Sequence, residues 1–103
     1  MRQRPEKAIQ HGIKDLLKQL GFSVYNLSQP RHTMQTHGLP DLIALGHSYT
    51  LFIEVKAGKN KQTPAQREFQ QACSNTPAFY VVWYSAAEAW DWLVERHVVS
   101  EAV

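Results

Sequence analysis

Disulfides are the first thing this sequence lacks. Its 103 residues include one cysteine, Cys73, so no internal bridge can form. A single thiol also argues against a structural zinc site built on thiolates, and it suits a reducing compartment. Long apolar runs are missing as well, and none approaches the ~20 residues of a membrane span. The opening MRQRPEKAIQHG is basic but holds no apolar stretch, so it is not expected to be a secretory leader. Charge of one sign is scarce. The formal net charge is +2, well short of a histone-like excess. What remains, with 44% hydrophobic residues, is enough for one core, and the length suits one domain.

The basic residues that are present are unevenly placed. Arg2, Arg4 and Lys7 open the chain, and Lys56, Lys59, Lys61 and Arg67 gather around one segment. Such a group can contact phosphates, or it can be an ordinary solvated loop.

Periodicity divides the chain into seven elements. Ile9, Ile13, Leu16, Leu17 and Leu20 form one stripe of a helix over 5–20, with Pro5 in its first turn and Gly21 as its stop. Glu6 extends that stripe. It is either an acid at the positive end of the helix dipole or an acid aimed at a sheet beneath. Residues 22–27 read as a strand. The polar QPRHTMQTHG over 29–38 reads as a loop of a length that is often functional; its histidines, His32 and His37, lack the spacing of a helical ligand pair. Strands over 41–45 and 50–56 follow, joined as a hairpin by a four-residue loop. Thr63-Pro64-Ala65-Gln66 is a capping box that opens a helix to about Ser74. FYVVWY over 79–84 suits a central strand buried on both faces. Ser85-Ala86-Ala87-Glu88 is a second capping box, and Ala86, Ala89, Trp90 and Leu93 form the stripe of the helix it opens. Trp92 falls off that stripe and is expected to be exposed, as part of a partner surface. The order α-β-β-β-α-β-α describes an α/β domain with a mixed sheet flanked by helices.

Two strands carry carboxylates that a buried strand should avoid. Strand side chains alternate faces, so Phe52, Glu54 and Lys56 share one side and Leu51, Ile53 and Val55 the other. If Leu45 pairs with Thr50, Asp41 lies directly opposite Glu54, with Cβ atoms about 5 Å apart. A register slip of one residue would separate them. Three arrangements would make the pair tolerable. One carboxyl could keep its proton, Lys56 could neutralise the pair, or a hard divalent cation could bind between the two acids.

Around these residues the sequence resembles the PD-(D/E)xK nuclease superfamily, with Pro40-Asp41 followed by Glu54-Val55-Lys56. More narrowly it resembles the virus-type replication-repair nuclease (VRR-NUC) domain, through Gly38-Leu39-Pro40-Asp41, Phe52-Ile53-Glu54-Val55-Lys56, and Thr63-Pro64-Ala65-Gln66. The likeness runs from about residue 5 to 95. It implies a single nuclease domain over 1–103 with a restriction-endonuclease-like core. It implies that Asp41, Glu54 and the Val55 backbone carbonyl hold Mg²⁺ or Mn²⁺, with Glu6 acting through a water or on a second ion. Lys56 would then position or deprotonate the attacking water, and Gln66 would orient Lys56 or that water. Gln66 also has its capping role, and the two are expected to exclude each other. Arg31, His32, His37, Lys59, Lys61 and Arg67 would contact DNA.

The resemblance further implies an endonuclease that hydrolyses phosphodiester bonds to a 5′-phosphate and a 3′-hydroxyl. Stand-alone relatives of this size are phage and bacterial homodimers, which suit a symmetric four-way junction or other branched DNA. The expected location is therefore the interior of a bacterial or phage-infected cell, with no membrane partner. Trp83, Trp92 or the C-terminal tail would supply the dimer interface. Two other functions compete with this one: a catalytically silent nucleic-acid-binding module of the same fold, and a structural protein in which Asp41, Glu54 and Lys56 form a salt-bridged cluster.

Overall fold

The computed structural model describes residues 5–27 and 37–100. It contains α1 (Pro5–Gln19), β1 (Ser23–Asn26), β2 (Leu42–Gly46), β3 (Tyr49–Val55), α2 (Pro64–Cys73), β4 (Phe79–Trp83) and α3 (Ala86–Glu95). The four strands form one sheet in the order β1-β2-β3-β4. The first three run antiparallel and β4 runs parallel to β3. The α/β fold with a mixed sheet and flanking helices therefore stands as expected.

Each helix starts and stops where local chemistry dictates. Helix α1 buries Ile13 and Leu17 and packs Ile9, Leu16 and Leu20 along the margin of the core. It ends on Gly21 at φ +98°, with Phe22 N–H donating to the Leu17 carbonyl (3.0 Å) and Gly21 N–H to the Lys18 carbonyl (3.1 Å). That is a glycine-closed cap, in which the left-handed residue lets two orphan carbonyls find donors. Helix α2 opens with the full reciprocal capping box at Thr63. Helix α3 has only half of one. Ser85 accepts from Glu88 N–H (3.1 Å), but the Glu88 carboxylate accepts from Tyr84 N–H (3.0 Å) instead of from Ser85.

The expected hairpin register is the one observed. Leu45 pairs with Thr50, and Leu42 with Ile53. The loop is shorter than expected, because Gly46 pairs with Tyr49 and leaves only His47 and Ser48 in the turn. Extending the ladder inward by one pair does not change which residues face each other. Both turn residues are left-handed, at φ 53° and 66°, as a two-residue hairpin turn with right-twisted strands requires. Neither is glycine. His47 is held by its Nε2–H, which donates to the Leu20 carbonyl (2.6 Å), and by its ring against Phe22.

The sheet has two unlike faces. Leu42, Ala44, Leu51, Ile53, Val55, Val81 and Trp83 form one core with Ile13 and Leu17 of α1 and Ala89 and Leu93 of α3. On the opposite face α2 lies over β3 and β4, with Phe69 against Phe52 and Tyr80. Two expectations fail here. Strand β4 is an edge strand, not a central one; Val81 and Trp83 are buried and Tyr80 is half-buried under α2, but Phe79 stays exposed and one backbone edge stays open. Trp92 is packed, not exposed. It meets Tyr49, Phe79 and Trp83 edge-on, and the Arg96 guanidinium lies 4.5 Å from its ring. Helix α3 lies near the sheet margin, so a side chain off its main stripe still reaches aromatic neighbours.

Candidate active site

The ends of β2 and β3 bring the acids together. Asp41 immediately precedes β2, and Lys56 immediately follows β3. The Asp41 backbone stays in the sheet, donating to the Ile53 carbonyl (3.0 Å) and accepting from Leu27 N–H (2.8 Å). Its Oδ2 accepts from the Val55 N–H (2.8 Å), so the carboxylate takes the place of a backbone carbonyl where the ladder ends. The preceding turn is tightly seated. Pro40 is fully buried, and Gly38 stands at φ +89° with the Ala65 carbonyl where a Cβ would lie. The turn before Asp41 is thus pressed against the first turn of α2.

Glu54 is buried at 4% exposure. Its Oε2 accepts from Gln66 Nε2 (2.9 Å) and pairs with Lys56 Nζ (3.4 Å). Its Oε1 is buried and, among the described residues, meets no donor, and only a proton held by Glu54 would bond it to Asp41. A buried carboxylate oxygen without a donor is expensive, and in a native protein it usually marks the place of a ligand, ion or water. Burial raises the pKa of Glu54, the charge of Asp41 raises it further, and Lys56 opposes both, leaving it pushed up to about 7. Burial also raises Asp41, against the Val55 N–H that favours its charged form; the negative charge of Glu6 adds to the rise.

Gln66 performs both of the roles expected to compete. Its Oε1 accepts from Thr63 N–H (2.8 Å), closing the capping box, while its Nε2 donates to Glu54. A carboxamide has a separate acceptor and donor, so one side chain fastens the start of α2 to the acid on β3. Glu6 is half-buried in the first turn of α1 and accepts from Asn60 Nδ2 (3.0 Å). The Asn60 carbonyl accepts from the Tyr84 hydroxyl (2.6 Å), which ties the loop after β3 to the end of β4. Sequence reasoning missed Asn60 and Tyr84. Asn60 carried no signal beyond its place in a polar loop, and Tyr84 read as strand.

The expected DNA contacts divide into three groups. Lys59 and Lys61 are exposed in the loop after β3 and have no ion-pair partner among the described residues. Arg67 is exposed, but its Nη1 donates to the Gln62 carbonyl (2.9 Å) and braces the same loop. His37 is exposed. Arg31 and His32 lie outside the described residues.

The donor set fits a hard divalent cation that keeps much of its water. Among the described residues no three carboxylate, histidine or cysteine side chains converge as a ligand cage. What converges is two carboxylates, one with an unpartnered oxygen, next to the Val55 backbone. Mg²⁺ is commonly held by one or two carboxylates, with water and substrate phosphate filling the rest of its octahedron.

No family model and no curated protein matches this chain. A solved structure described as a VRR_NUC domain does match, with a TM-score of 0.72 and 27% identity, over 92% of this chain and 99% of the other.

Proposed function

Taking this chain as a VRR-NUC-type nuclease domain, we propose that it is a Mg²⁺- or Mn²⁺-dependent DNA endonuclease that works as a homodimer on four-way junctions or other branched DNA. The observation that carries the reading is the half-buried Asp41 beside the buried Glu54, with one Glu54 oxygen left without a donor among the described residues. The Lys56 ion pair and the Gln66 amide both engage Oε2 and leave Oε1 unmet among the described residues.

Asp41, Glu54 and the Val55 carbonyl would hold the metal, with Glu6 reached through water. When bound, the ion would polarise the scissile phosphate and lower the pKa of a water. The chain's own residues supply the rest. Gln66 Nε2 fixes Glu54 through Oε2 and leaves Oε1 free to serve as a ligand. Lys56 Nζ, held beside Glu54, orients the attacking water and offsets the charge that grows on the phosphate oxygens. The unpaired Lys59 and Lys61 hold the DNA backbone. Hydrolysis adds water across one P–O bond, leaving a 5′-phosphate and a 3′-hydroxyl.

Labelled four-way junctions, flaps, single strands and linear duplex, incubated side by side with Mg²⁺, Mn²⁺ or EDTA, test this. Metal-dependent cutting of branched DNA that Lys56→Ala abolishes is the expected result. No cutting in either metal, or a Lys56→Ala protein that cuts as well as wild type, contradicts the enzyme reading. A monomer by light scattering at micromolar concentration contradicts the dimer.

A further inference from the structure

The outer edge of β4 is a second place where, among the described residues, the fold leaves groups unmet. The Lys56 N–H donates to the Trp83 carbonyl, and Val55 pairs with Trp83 in the parallel ladder. In a parallel ladder the residues alternate in the edge their backbone groups face. Phe79, Val81 and Trp83 therefore point their N–H and C=O groups at β3, while Tyr80 and Val82 point theirs outward. Both ends of that outward edge are closed by the chain itself. Ala78 N–H donates to Thr76 Oγ1 (3.2 Å), and Tyr84 N–H donates to the Glu88 carboxylate (3.0 Å). Between them the outward N–H and C=O of Tyr80 and Val82 have no partner among the described residues.

This open edge forms one wall of a groove of about 400 Å³, and α3 forms the other. Glu88, Asp91 and Glu95 line the helical wall and are exposed, at spacings that put them on one face. Trp92 supplies apolar floor, and among the described residues no basic side chain lines the groove itself, the Arg96 guanidinium lying beyond it against the Trp92 ring.

We propose that this groove is a docking site for an extended, basic segment of a partner protein, which adds a strand beside Tyr80 and Val82 and presents lysine or arginine to Glu88, Asp91 and Glu95. Backbone pairing supplies the binding and the alternate side chains supply the selection. The same acidic row argues against two other occupants. DNA would bring phosphates against three carboxylates, and a second copy paired strand to strand across a two-fold axis would set one acidic row against the other.

The test titrates the full chain into a fluorescein-labelled peptide of alternating lysine and valine, followed by anisotropy, with an alternating glutamate–valine peptide as control. Saturable one-to-one binding of the lysine peptide alone is expected. Asp91→Lys/Glu95→Lys should weaken it by about tenfold or more. Val82→Pro removes an outward donor at a position where an edge strand tolerates proline, and should weaken it by a similar factor, about tenfold. Should that variant not fold, amide chemical shifts of wild-type protein carry the test, with Tyr80 and Val82 expected to move most. No saturable binding, equal binding of the glutamate peptide, an indifferent Val82→Pro or charge-reversed variant, or shifts centred away from β4 would each overturn the proposal.

Discussion

On one face of β3, Leu51, Ile53 and Val55 are at most 1% exposed; on the other, Glu54 is 4% exposed. The depth is nearly the same and the chemistry is opposite. Leu51, Ile53 and Val55 lie in a packed apolar core, where burial is itself the stabilising interaction. Glu54 at equal depth has two partners on one oxygen and none on the other, beside a second acid. The core face holds the fold up. The opposite face sets two acids side by side at depth, with one Glu54 oxygen lacking a donor among the described residues, a local conflict of the kind by which functional sites commonly differ from the scaffold that bears them.

The sharpest way to break this contrast is to disarm the acid pair. Asp41→Asn should reduce metal-dependent cleavage by about 10³-fold or more, about 4 kcal/mol in transition-state terms. In EDTA at pH 8 it should not destabilise the fold, and should raise stability by about 1 kcal/mol by removing a like charge. A calorimetric melt beside a cleavage assay checks both. The reverse pattern belongs to the core face. Ile53→Ala should lose about 2–5 kcal/mol in denaturant unfolding, while the folded fraction keeps its cleavage rate.

A pH series isolates the electrostatic part. The folded Glu54 holds its proton up to about pH 7, against an ordinary value of 4.5, so the native state binds more protons than the unfolded chain between those limits. Its stabilising contribution is full below pH 4.5 and is lost as pH rises through 7. In EDTA, the stability of wild type relative to Glu54→Gln should therefore fall across that window by about 3 kcal/mol. A flat difference, measured by urea unfolding at each pH, would mean that the acid is not strained.

Two smaller changes test how the strained face is held. Gly38→Ala sets a methyl against the Ala65 carbonyl at a positive φ and should cost about 2 kcal/mol, read as a lower melting temperature. Gln66→Leu removes the reciprocal arm of the cap and the Glu54 donor together, and should cost about 1 kcal/mol of stability as well as activity. Gln66→Glu keeps an acceptor for Thr63 but sets a third charge near the pair, so it should restore less activity than stability.

The acid pair was legible in the sequence because a strand's period of two leaves little freedom. Once Leu45 faces Thr50, Leu42 faces Ile53 and the two acids fall just past the last pair; shortening the turn to His47-Ser48 preserves that register, although the Asp41 N–H donates to the Ile53 carbonyl. The place of β4 was not legible. FYVVWY is apolar on both sides whether it sits at the centre of a sheet or at an edge roofed by two helices, and periodicity carries no information about which backbone edge is paired. Trp92 misled for a related reason: a helical stripe describes contact with a sheet's middle, whereas α3 lies near the margin. For Gln66 the error was chemical, in treating a two-ended amide as having one function. Asn60 depends on a loop conformation that no local pattern encodes.

The central claim is that the Asp41–Glu54 pair is incomplete without a divalent cation. A thermal-melt titration with Mg²⁺ and Mn²⁺ at pH 8, run on wild type, Asp41→Asn and Glu54→Gln with no DNA present, tests it most directly. The account predicts a melting temperature that climbs with metal concentration in wild type alone, and an EDTA baseline that is lower for wild type than for either variant. A wild-type melting temperature indifferent to both metals, or one that both variants reproduce, would contradict it.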